Sequence, residues 1–212
     1  MKVLRSIPYK TQSYFKHGSV ITLGSFDGLH LAHRQLLQET ITCAKQLRLP
    51  SVLLTFHPHP KDFFAGRESQ IRLMRLREKW LALQPYALNF LISLRFNRAM
   101  AELPAIDFVN QYLVDRLNVK MVIVGDYFRF GAARQGDFNQ LASLGGRYGF
   151  EVRQIPSMML SGMRVSSTRV RQALMEGDLA LVQQLTGRHY SLYGPVIHGD
   201  QRGRTWGLPT VN

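Results

Sequence analysis

One cysteine, Cys43, stands among 212 residues, so the chain can form neither an intrachain disulfide nor a cysteine-based zinc site. Its place in a helical pattern marks it as a small buried hydrophobe, not a nucleophile. No apolar stretch reaches the roughly 18–20 residues of a membrane span, because polar or charged residues interrupt every candidate. The opening residues, MKVLRSIPYKTQSYFKHGS, have no apolar centre of a secretory signal. The expectation is a cytoplasmic protein with no membrane partner. Internal repeats and low-complexity tracts are missing as well. Acidic residues are scarce, 14 Asp and Glu against 27 Lys and Arg, for a net charge of +13. Such a surplus implies polyanionic ligands, either nucleic acid or nucleotide phosphates. Arginine supplies 20 of the 27 cations, and its planar fork suits bidentate phosphate contacts. The arginines are scattered from Arg5 to Arg204 without a block of five like charges, so nucleic-acid binding is permitted but not specified.

What the chain does have is 45% hydrophobic residues, enough for a core, and a length that fits one domain with an appendage. Apolar runs predict strands at Val20–Ser25, Ser51–Phe56, Leu88–Leu94, Lys120–Gly125 and Glu151–Ile155. Helical periodicity lies between them, over His30–Gln46, Leu76–Leu83, Pro104–Leu117 and Asp137–Tyr148. Continuous runs such as Met121-Val122-Ile123-Val124 fit a parallel sheet covered on both faces. The alternation predicts a doubly wound α/β sheet, with ligands at the carboxyl ends of its strands near a topological switch point. After Gly162, two short helical stretches are split by Gly177-Asp178. From His189 the composition turns to short β segments with glycine, which sets a boundary near residue 188.

The most informative stretch is GSFDGLHLAH, Gly24 to His33, where the apolar run Val20-Ile21-Thr22-Leu23 gives way to a helix. A strand turning through glycine into a helix presents backbone N–H groups, an anion site. Two imidazoles three residues apart, His30 and His33, add donors or cationic charge as negative charge builds on a phosphate. Alone, the pattern fits a strand–helix corner whose histidines bond to backbone better than it fits a ligand site. A second such start is VSSTRVRQAL, Val165–Leu174, with hydroxyls and flanking arginines. It reads as a pyrophosphate cradle or as an ordinary capped helix with surface arginines. His57 and His59 in TFHPHP have metal-like spacing, but His-Pro-His-Pro is extended and brings no third ligand. Phe63, Phe64, Phe128 and Phe130 are candidates for stacking or for the core, while Trp80 and Tyr112 sit at helical core positions.

Seven blocks in order carry a resemblance to the bifunctional bacterial FAD synthetases, which join FMN adenylyltransferase to riboflavin kinase. They are GSFDGLHLAH, TFHPHP (Thr55–Pro60), LREKWLAL (Leu76–Leu83), FNRAMAELPAIDFV (Phe96–Val109), VGDYFRFG (Val124–Gly131), Gly136-Asp137 and VSSTRVRQAL. The terminal YGPVIHGDQRGRTWGLPTVN is similar to the opening of the family's kinase domain. The resemblance implies a Rossmann-like nucleotidylyltransferase domain over residues 1–188, then an incomplete β-barrel kinase domain over 189–212. It implies the formation of FAD and pyrophosphate from FMN and ATP with Mg2+. His30, His33, Arg164 and Ser167 would be catalytic, and Gly24, Phe26, Asp27, Thr168 and Arg171 would bind ATP. Phe64, Tyr127 and Phe130 would face the flavin, and no protein group would hold a metal in the adenylyltransferase site. Thr210 and Asn212 would serve Mg2+ and ATP in the kinase portion, whose remaining strands and glutamate are not among these residues. Kinase activity is therefore not expected of this chain.

Three residues depart from the family pattern. Ala32 replaces a glycine within HxGH, Tyr127 an Asp or Asn, and His57 an acidic residue. Two competing expectations follow. One is a related nucleotidylyltransferase with another phosphate substrate, which TFHPHP and FRFG oppose. The other is a degenerate, non-catalytic protein that binds a flavin nucleotide or RNA.

Overall fold

The computed structural model describes residues 1–7, 13–65, 72–197, 199 and 202–208. Five strands form close to their expected places: β2 (Ser19–Leu23), β3 (Ser51–His57), β4 (Phe90–Arg95), β5 (Val119–Gly125) and β6 (Glu151–Ile155). A sixth, β1 (Lys2–Leu4), is too short at three residues to register as a strand in sequence. All pair in parallel in the order β1-β4-β3-β2-β5-β6. The chain runs outward from β2 through β3 to β4, then returns to the other side of β2 as β5. The crevice between the carboxyl ends of β2 and β5 is thus the topological switch point, as expected.

Alternation within the strands sorts the core. Ile21, Val52, Leu54, Phe90, Ile92, Val122 and Val124 face one layer, which is covered by α5 (Ala105–Phe108) and α6 (Phe138–Tyr148). Leu53 and Leu91 face the opposite layer, with α1 (Leu31–Leu47), α3 (Leu76–Leu83), α7 (Ser167–Met175) and α8 (Leu179–Thr186). Cys43 is buried against Val20, Met121 and Ile123. Trp80 and Tyr112 pack on the two layers as partly buried residues. The break at Gly177-Asp178 falls between α7 and α8.

Three local expectations are corrected. The helix expected over 104–117 is α only to Phe108; Val109–Val114 is a π turn, with the Asp115 N–H donating to the Asn110 carbonyl at 2.9 Å. Apolar periodicity does not distinguish the two, because one extra residue per turn keeps the same stripe on the core. His-Pro-His-Pro is not extended throughout, since Pro60 opens α2 (Pro60–Ala65), in keeping with the fit of proline to a first helical position. Beyond residue 188 the described residues form no strand; a short helix, α9 (Arg202–Thr205), stands there instead. A β segment without neighbours leaves its ladder groups unpaired, so turn propensity prevails. Short helices α4 (Arg98–Ala101) and the hairpin β7 (Met159–Leu160) and β8 (Met163–Arg164) complete the chain. No helix among the described residues is long and apolar enough to cross a membrane.

Candidate active site

The carboxyl end of β2 leads through Gly24–Leu29 into α1. Phe26 and Leu29 hold φ of 47° and 45°, a conformation that costs a non-glycine residue roughly 1–2 kcal/mol. Burial offsets it, for both side chains are sealed in the core. Gly28 has φ 79°, and a Cβ there would meet Leu73 Cδ1 at 2.7 Å, so the turn needs glycine at that point. His30 is the N-cap of α1, its Nδ1 accepting from the His33 N–H at 3.4 Å. Its ring stacks on His33 at 3.6 Å, and His33 stacks on Phe26 at 4.6 Å.

Burial dominates the chemistry of this stack. It lowers His30 to about 4, with Arg164 adding to the effect. His33 falls well below the ordinary histidine value, first through burial, then through His30 and Lys79. At neutral pH both rings are uncharged. His33 Nδ1 is buried with no hydrogen-bond partner among the described residues. An anion entering here would favour the protonated rings and supply acceptors for them.

Asp27 is buried at the hub of the turn. Its carboxylate accepts from the N–H groups of Leu73 (3.3 Å) and Met74 (3.0 Å) and pairs with Arg171 of α7. Its carbonyl accepts from Ser167 Oγ at 2.8 Å. The two helix starts that the sequence separates by more than 130 residues are therefore bolted together through one aspartate. Ser166, not Ser167, caps α7, its Oγ accepting from the Arg169 N–H at 3.3 Å. Arg164 lies with its guanidinium carbon 4.0 Å from the centroid of the exposed Tyr127 ring. The phenol at this departure thus forms a cation–π contact with an expected catalytic arginine.

One cavity of about 730 Å³ gathers these groups. Gly24, Phe26, Asp27, His30, Ala32, His33, Arg164, Ser167, Thr168 and Arg171 line its polar end. Phe64 and Phe130, linked by ring contacts through Phe96, Phe56 and Phe108, line its aromatic end, and Tyr127 in the wall meets Arg164. Phe64 is 70% exposed on α2, whereas Phe130 is only 8% exposed and stacks on Phe128 at 5.4 Å. Phe63 is absent from the wall and packs on Phe64 and Phe96. His57 is exposed and also outside the wall, while His59 is part of it. The expected kinase residues Thr210 and Asn212 lie outside the described residues. Among the described residues no three His, Cys, Asp or Glu side chains gather as a metal site. Sequence reasoning missed Phe56, Phe96 and Phe108, which line the aromatic end from β3, the β4–α4 corner and α5. It also missed Lys79, buried at 7% exposure. The signal was present there: a lysine at the core position four residues before the buried Leu83.

Comparison with known proteins agrees with this geometry. The FAD synthetase family matches residues 12–169 and the riboflavin kinase family residues 186–212. A bifunctional riboflavin kinase/FMN adenylyltransferase of Escherichia coli strain K12 is 42% identical over 212 residues, all of this chain and 67% of that protein. One from Pseudomonas fluorescens is 38% identical over 195 residues, covering 92% of this chain and 62% of the relative. The chain thus spans about two thirds of the length of such relatives. A solved structure from Streptococcus pneumoniae, described as a macrolide-efflux protein, matches with a TM-score of 0.83 at 26% identity, over 100% of this chain and 68% of its own. A pantoate-beta-alanine ligase from Francisella tularensis shares the fold at a TM-score of 0.54 and 13% identity, over 85% of this chain and 76% of its own. With the family match running across the strand–turn–helix unit, the aromatic wall and the start of α7, this chain belongs to the FAD synthetase family.

Proposed function

We propose that this chain is an FMN adenylyltransferase. A phosphate oxygen of FMN attacks the α-phosphorus of ATP, forming a new P–O bond. The bond from that phosphorus to the α–β bridging oxygen breaks, and pyrophosphate leaves with the electron pair. The supporting observation is one cavity that brings the two helix starts, with His30, His33, Arg164 and Ser167, together with a wall of aromatic rings, its volume within the usual range of ligand sites.

In this reading the starts of α1 and α7 receive the ATP phosphates, through backbone N–H groups, the Ser167 and Thr168 hydroxyls and Arg164. His30 and His33 give hydrogen bonds to the phosphate oxygens as charge shifts toward pyrophosphate. Phe64, Tyr127 and Phe130 offer surface to the isoalloxazine ring. Asp27 and Arg171 act mainly on each other, locking the two helix starts at the spacing the phosphates need. Magnesium would shield the phosphate charge when bound. Asp27 in the cavity wall is taken up by the Leu73 and Met74 N–H groups and by Arg171, and no protein ligand is assigned to the ion. The same reading places the chain in the cytoplasm with its nucleotide substrates, and residues 189–212 as a separate segment.

The test is chromatography of FAD and pyrophosphate made from FMN, ATP and Mg2+. FAD and pyrophosphate in equal amounts are expected. Riboflavin, which lacks the phosphate nucleophile, is expected to give no FAD. Nucleotide binding without product would replace this reading with that of a non-catalytic flavin-nucleotide binder.

A further inference from the structure

Behind the phosphate end of the cavity stands a charged group that the reaction does not touch. Lys79 projects from the core face of α3, and its Nζ donates to the Ser25 carbonyl at 2.5 Å and lies 3.5 Å from Thr55 Oγ1. The Thr55 hydroxyl donates to the same carbonyl at 3.3 Å. Ser25 lines the cavity while Lys79 does not, so the ammonium sits on the far side of the wall. In a trans peptide the C=O and the next N–H point in opposite directions. Drawing the Ser25 carbonyl back toward α3 and β3 therefore turns the Phe26 N–H toward the cavity. That peptide leads into Phe26, whose positive φ makes the orientation one that the chain would not hold unaided.

We propose that Lys79 is a positioning residue for the anion-binding turn: its ammonium fixes the Ser25–Phe26 peptide so that the Phe26 N–H faces the polyphosphate, and adds a buried positive charge behind it. The proposal rests on the adenylyltransferase reading of the cavity. A buried cation is a costly way to hold a carbonyl, since a well-packed apolar residue of similar volume is often neutral or stabilising there. Thr55 already supplies a neutral donor to Ser25. The charge is thus better explained by what crosses the wall than by stability.

The charged and titratable groups around the ammonium come from every neighbouring element. Asp27 in the turn favours its charge, and Arg72 before α3 opposes it. Lys79 in turn lowers His33 of α1, His57 of β3 and His59 at the start of α2. Burial is the largest influence on Lys79 itself and lowers it to about 8. Its charge is accordingly present at neutral pH and lost as pH rises through that value, whereas the histidines are uncharged on both sides of it.

The decisive experiment compares the whole wild-type chain with Lys79→Met and Lys79→Arg by ATP titration, FAD formation and thermal unfolding, each from pH 7 to 9. The Met variant is expected to melt at or above the wild-type temperature at pH 7. It should bind ATP and turn over about 10- to 100-fold less well, the range for groups that orient a site's direct contacts. Wild-type ATP affinity should fall as pH passes about 8, a step absent from Lys79→Met and, because arginine stays charged, from Lys79→Arg. A Met variant with wild-type affinity and rate overturns the proposal, as does a wild-type pH step that persists in Lys79→Met. Should the Met variant not fold, the Arg variant decides: a pH step unchanged from wild type overturns the proposal. A wild-type chain that neither binds ATP nor makes FAD overturns the adenylyltransferase reading instead.

Discussion

At the scale of single residues, the site is defined by histidines kept neutral. Folding holds His30 at about 4 against an ordinary value of 6.5, so the unfolded chain binds the extra proton between those values. The contribution of this group to stability is therefore complete above pH 6.5 and is lost as pH falls toward 4, about 3 kcal/mol in all. Urea unfolding at pH 7 and pH 4.5 is expected to show the decline, and His30→Asn to flatten it. The same burial makes nucleotide binding a proton-linked event. ATP should draw protons onto the two rings, which calorimetry in buffers of different ionisation enthalpy would record as net uptake near pH 6. His30→Ala or His33→Ala should cut FAD formation by about 10²-fold, the effect of losing one donor to the developing charge. Tyr127→Ala, which removes the ring under Arg164, should raise the KM for ATP about two- to fivefold, the worth of an exposed cation–π contact. An unchanged KM would show that the guanidinium holds its place without the ring.

At the scale of elements, the site depends on joints between segments distant in sequence. Asp27 joins the turn after β2 to the start of α7 and to the Leu73–Met74 backbone. Asp27→Ala removes one ion pair of Arg171 and leaves the two buried N–H groups of Leu73 and Met74 without their acceptor, and is expected to cost about 3–5 kcal/mol in denaturant unfolding. A second joint is Gly131, with φ 72°, where a Cβ would lie 2.7 Å from Ala105 Cα and Cβ at the start of α5. Gly131→Ala should separate the FRFG loop from α5 and raise the KM for FMN more than that for ATP, because only the aromatic end is disturbed. Equal changes in both constants would mean that the loop supports the whole cavity.

At the scale of the whole molecule, the parallel sheet divides the labour. The turn after β2 and the start of α7 build the polar end of the cavity, and the segments after β3, β4 and β5 build the aromatic end across the switch point. Among the described residues after 188, none lines either end of the cavity. Their described contacts lie on the outer side of α3, Tyr193 with Glu78 and Arg77, and behind the turn, where the partly buried Tyr190 donates to the Leu73 carbonyl at 3.5 Å. A chain ending at Tyr190 is expected to keep FAD formation within about twofold and to shift the unfolding midpoint only slightly, since the described residues 191–197 are exposed and exposed segments add little to stability. Loss of activity on that truncation would move the domain boundary beyond 188.

Much of this was legible in sequence because it is written locally. Apolar runs such as Met121–Val124 set the strands, the serines of VSSTRVRQAL marked the capped start of α7, and GSFDGLHLAH marked the turn into α1. Those features depend on neighbours within a turn or two, and periodicity records them. Pairings between segments were not legible. The Asp27–Arg171 tie, the stacking of Arg164 on Tyr127, the π turn after Phe108 and the burial of Lys79 depend on what a side chain meets across the fold. The sequence by itself determined the elements, their order and the chemical character of the site. Only the tertiary structure decided which charges are paired and which rings are neutral, because desolvation and ion pairing are properties of the space around a group and not of its place in the chain.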